Sequence, residues 1–66
     1  MRGTVTAFDA HMGLGDITIA DGTVVMFHCA EIVDGTRDIN IGESVSFVVA
    51  HRFGLVEASE IEKLPS

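Results

Sequence analysis

The stretch Asp16-Ile17-Thr18-Ile19-Ala20-Asp21-Gly22-Thr23-Val24-Val25-Met26-Phe27-His28 holds two β-branched runs on either side of a turn signal. How long that turn is decides which side chains are buried. A two-residue Asp-Gly turn would set Ile17 opposite Met26 and Asp16 opposite Phe27, placing a carboxylate on the face of the largest ring. A three-residue loop, a type I turn followed by Gly22 in the left-handed region, pairs Ile17 with Val25 and Ile19 with Thr23. Ile17, Ile19, Val25 and Phe27 then share the buried face, and Leu14, Asp16, Met26 and His28 share the other. Because side chains alternate with a period of two, this one-residue choice determines what meets solvent.

Working outward, seven Gly and short β-branched runs between turn signals read as an all-β barrel or sandwich. No stretch keeps a helical period beyond two turns. The expected strands are Gly3 to Asp9, Gly15 to Ala20, Val24 to Cys29, Glu43 to Ala50 and Leu55 to Ile61. Val5 and Phe8 are three apart, so both point inward only if a bulge intervenes; Ala7 then faces outward. Val45, Phe47 and Val49 alternate with Ser44, Ser46 and Val48 as a half-buried strand should. Ala30-Glu31-Ile32 can make one helical turn and Val33 to Thr36 a surface loop, with Ile32, Ile39 and Ile41 packing beneath. Residues 1–66 are expected to form one domain, with no linker, repeat or low-complexity segment.

Composition narrows the function. At 66 residues the chain buries only about 60% of its unfolded surface, which leaves little material for a cleft around a substrate, so no enzyme is expected. No segment approaches the ~20 apolar residues of a membrane span. Met1-Arg2-Gly3 leads straight into a strand without a signal-like segment, so a cytoplasmic location is expected. Cys29 stands alone and no Cys-x-x-Cys is present. A closed β structure or self-association must therefore replace the usual staples of small domains. Nucleic-acid affinity rests largely on cations that neutralise phosphates, with a salt slope of about -0.7 per phosphate for single strands. Arg2, Arg37, Arg52 and Lys63 are the whole supply against ten carboxylates, for a net charge of -6.

Gly3-x-Val5-x-x-Phe8, Gly13-x-Gly15-x-Ile17, Val25-x-Phe27-His28, Ile32 and Gly42-x-x-Val45-x-Phe47 follow one another along nearly the whole chain. In order and spacing this series resembles a bacterial cold-shock domain. The resemblance implies a five-stranded Greek-key barrel of the oligonucleotide-binding (OB) type. It also implies binding of single-stranded RNA or DNA by stacking bases on rings spread over strands one to three. Most of those rings are replaced here. The family's exposed Trp before the core Phe of strand one is Ala7, and the lysines flanking the buried Val are Thr4 and Thr6. Its first ribonucleoprotein motif reads Met12-Gly13-Leu14-Gly15-Asp16-Ile17, with both ring positions lost and one negatively charged. Its second reads Val25-Met26-Phe27-His28-Cys29, where the ring has moved inward and only His28 remains on the outward face.

Counting aromatics leads to the same point. Alternation assigns Phe8, Phe27 and Phe47 to the core, which leaves Phe53, in the loop His51-Arg52-Phe53-Gly54, to meet a base. The candidate surface for nucleic acid or a partner is thus Ala7, Leu14, Asp16, Met26, His28, Cys29, Arg52 and Phe53. Each has a plainer reading: His28 packed on Leu14, Cys29 as filler, Arg52-Phe53 as an ordinary turn. Ala7, Leu14, Met26 and Cys29, if contiguous, form an apolar patch that could seat a protein partner or a second copy. No cofactor is expected. His11, His28 and His51 lack metal-ligand spacing, and Gly13-x-Gly15 lacks the third Gly, the helix and the Lys of a phosphate loop. The expectation is a cold-shock-like domain with weak, atypical binding of single-stranded RNA or DNA; the alternative is a protein-interaction or self-association module that has lost that activity.

Overall fold

In the computed structural model, which describes residues 1–52 and 54–65 and only the backbone of Arg52, the decisive hairpin closes through the three-residue loop. Gly22 sits at φ +90°, and Ile19 N–H donates to Thr23 O at 2.9 Å. Asp21 Oδ1 accepts from Thr23 N–H at 2.9 Å, which fixes the turn. Ile17 pairs with Val25 and Gly15 with Phe27, so the expected faces form.

The elements are β1 (Arg2–Asp9), β2 (Leu14–Thr18), β3 (Val24–His28), a 3-10 turn (Cys29–Glu31), β4 (Ser44–Arg52) and β5 (Leu55–Lys63). They close into a barrel in the order β1-β2-β3-β5-β4, with β4 pairing back onto β1 and β3 running parallel to β5. This is the all-β, five-stranded OB-type architecture. A register shift between Val5 and Ala7 is the expected bulge: Val5 faces Ile17, Ala7 faces Asp16, and Thr6 is the extra residue. Val5, Ile17, Val25, Phe27, Ile32, Ile39, Val45, Phe47, Ala58 and Ile61 fill the barrel. Among the described residues, no helix is long and apolar enough to cross a membrane.

Two core expectations are corrected. Ile41 is 66% exposed. Gly42 at φ +97° and the Glu43 N–H to Asn40 O bond make residues 40–43 a tight turn, and Ile41 sits at its tip. Ile39, just before the turn, takes the core position instead. Phe8 is only partly buried. Its ring lies parallel to that of Phe27, centroids 6.0 Å apart.

Gly15 explains that stacking, because it pairs with Phe8 on one side and Phe27 on the other. A Cβ there would lie 2.6 Å from the Phe27 ring and 2.6 Å from Ala7 O. The missing side chain is the space that the rings lean across. Gly15→Ala should therefore destabilise the barrel by about 1–3 kcal/mol, read as a lower urea midpoint; an unchanged midpoint would contradict this ring placement.

The loop between the 3-10 turn and β4 is tied to the end of β5. Asp34 Oδ1 accepts from Thr36 N–H at 3.0 Å and from the Thr36 hydroxyl at 2.8 Å, and Asp34 Oδ2 lies 3.2 Å from Lys63 Nζ. The Thr36 backbone N–H, then its hydroxyl, then Lys63 hold the Asp34 carboxyl below the ordinary aspartate value of 3.8. A lowered folded-state value contributes stability above the unfolded value and loses it as pH falls through the folded one. Asp34→Asn should thus be less stable than the parent at neutral pH, with the gap narrowing below pH 3.8. Urea midpoints across an acid series measure this.

Candidate nucleic-acid interface

The outer face of β1, β2 and β3 is built from rows that cross the strands. The bulge at Thr6 brings Ala7, not Thr6, opposite Asp16. Asp16 in turn pairs with Met26, and Met26 pairs with Glu57 across the parallel β3–β5 contact. One row therefore reads Ala7, Asp16, Met26, Glu57. The next places Leu14 beside His28. On the other side Thr4 pairs with Thr18, and Thr18 with Val24.

Met26 is 52% exposed at the centre of this face, while Ala7, Leu14 and Asp16 are half-buried. His28 is exposed at the end of β3, where it caps the 3-10 turn: its Nδ1 accepts from Ala30 N–H at 3.2 Å. An accepting Nδ1 carries no proton, so the neutral ring holds its proton on Nε2. That leaves Nε2–H as the ring's remaining donor.

Leu14, Met26, Phe27, His28, Ala30, Glu31 and Glu57 line a shallow groove on this side. Glu31 Oε1 accepts from Ser59 Oγ at 2.6 Å. Asp16, Glu31 and Glu57 make the surroundings of Met26 acidic. A second open groove runs along Arg2, Thr4, Thr6, Thr18 and Ser44, where Thr6 and Thr18 hydroxyls bond each other at 2.9 Å.

The structure brings Ala7, Leu14, Asp16, Met26 and His28 together and separates Cys29 from them. Cys29 begins the 3-10 turn and packs against the core cluster. Its N–H donates to Gly13 O at 2.7 Å, and its sulfur lies 2.8 Å from where a Gly13 Cβ would stand. It therefore does not extend the outer apolar patch. Arg52 ends β4 opposite Leu55; its side chain and Phe53 lie outside the described residues. Sequence reasoning missed that Glu57 stands beside Met26, because the β3–β5 pairing that brings them together leaves no local signal. Among the described residues, no three His, Cys, Asp or Glu side chains gather to hold a metal ion.

The family model described as the 'Cold-shock' DNA-binding domain matches residues 1–64. Among solved structures, the drosophila Unr CSD456 is similar at 28% identity, with a TM-score of 0.81 over 97% of this chain. The chain spans 26% of the length of that one. No match was found among curated proteins.

Proposed function

The chain belongs to the cold-shock domain family, whose members bind nucleic acid, and from that premise we propose that it binds single-stranded RNA or DNA weakly and with little base selectivity. A strand would lie across Leu14, Met26 and His28. The observation that carries this reading is the row Asp16–Met26–Glu57, which sets one flexible thioether between two carboxylates. Each base stacked on a ring is worth ~1–3 kcal/mol, and this row offers none. His28 supplies a donor and a small ring. No catalytic step is part of the proposal, which takes residues 1–66 as one domain acting in the cytoplasm.

Fluorescence anisotropy of labelled oligothymidine at low salt tests it. The expected result is saturation with a dissociation constant of roughly 10⁻⁴ to 10⁻⁶ M, the range of non-specific binding, and loss of binding as salt rises. No saturation at high micromolar protein would overturn it.

A second reading, a self-associating or protein-binding module, is supported by the exposure of Met26 at the centre of a sheet face. Sedimentation separates the self-associating form. A monomer at every concentration, unchanged by Met26→Glu, counts against a second copy on this face.

A further inference from the structure

We propose that the Met26 row is a docking site for a cationic protein segment, whose lysine or arginine stems lie on Met26 and whose charged ends reach Asp16 and Glu57. This goes beyond nucleic-acid binding by the same face and rests on different chemistry. Adjacent strands are ~4.8 Å apart, so the two carboxylates flank the thioether at about one strand spacing on either side. Lys and Arg have the matching form, an apolar stem with a charged head. The flexible Met side chain adapts to such stems, and Leu14 and Val24 extend the apolar floor to either side of the row.

Charge selects this occupant over the others. A second copy docked face to face would bring Asp16 and Glu57 against their own counterparts in a chain of net charge -6. A nucleic acid would lay phosphates beside the same carboxylates. Of the chain's own cations, Arg2 lines the other groove and Lys63 pairs with Asp34.

The test uses a labelled, capped Lys-Gly-Ser repeat peptide, with its Glu-Gly-Ser counterpart as control, on three proteins. These are the parent, Asp16→Asn/Glu57→Gln, and Glu60→Gln/Glu62→Gln, which removes the same charge from exposed positions outside the row. Exposed ion pairs are individually weak, so the first variant should lose about three- to tenfold in affinity for the Lys peptide, and the second less than about twofold. Oligothymidine should move the opposite way and bind the first variant more tightly than the parent. Peptide binding that follows this pattern while oligothymidine binds none of the proteins supports the site and sinks the nucleic-acid reading. No binding of the Lys peptide, or equal loss in both variants, overturns the proposal, and saturable oligothymidine binding then leaves the nucleic-acid reading in place.

Discussion

Asp16→Phe combined with Met26→Phe should raise the affinity for oligothymidine at least about thirtyfold. Both positions point outward, and they are direct cross-strand partners, so two new rings would stand side by side at roughly 5 Å between Cβ atoms. Two stacked bases at ~1–3 kcal/mol each amount to about 2–6 kcal/mol, and 1.4 kcal/mol is tenfold in affinity. Removing the Asp16 carboxylate adds to the gain. Phe also suits a strand, so the barrel should be preserved. Anisotropy titrations of parent and variant measure the ratio. A gain below about twofold would show that something other than missing rings limits binding.

Phe27→Ala should act on the fold instead of the surface. Phe27 is 1% exposed and is the largest of the fully buried side chains. Truncating a core Phe costs about 3–5 kcal/mol through lost burial and the cavity left behind. A chain of this size has roughly 3–10 kcal/mol of total stability, so the loss approaches the whole. The Phe8 ring, stacked on Phe27 across Gly15, would lose its partner as well. Circular dichroism should show a thermal midpoint lowered by many degrees, or no cooperative transition. An intact midpoint with lost oligothymidine binding would place this ring on the outer face.

What could be read from the residues alone follows from the range over which each signal acts. The β2–β3 hairpin was legible because Gly22 dictates a local backbone geometry, and that geometry propagates two by two into the faces. The bulge at Thr6 was legible for the same reason, since Val5 and Phe8 have no other way to point inward together. The approach of Glu57 to Met26 was not, because parallel strands joined through a long connection carry no turn to count from. Ile41 misled because hydrophobicity says nothing about the turn that Gly42 imposes on it. Cys29 misled because alternation was extended one residue past the end of β3, where the chain enters a 3-10 turn. The Met26 row was therefore half legible: the sequence pattern places Ala7, Asp16 and Met26 on the outer face, and only the closed barrel adds Glu57.

The central claim is that the one large ring of β3 faces the barrel interior, leaving Met26, Leu14 and His28 to meet a strand. Amide and aromatic-proton NMR of the labelled protein during an oligothymidine titration tests it most directly. The account predicts fast-exchange shifts at Leu14, Met26 and His28, with the Phe27 ring protons unmoved and still in contact with those of Phe8. Phe27 ring protons that shift with added oligothymidine and show contacts to its bases would contradict it.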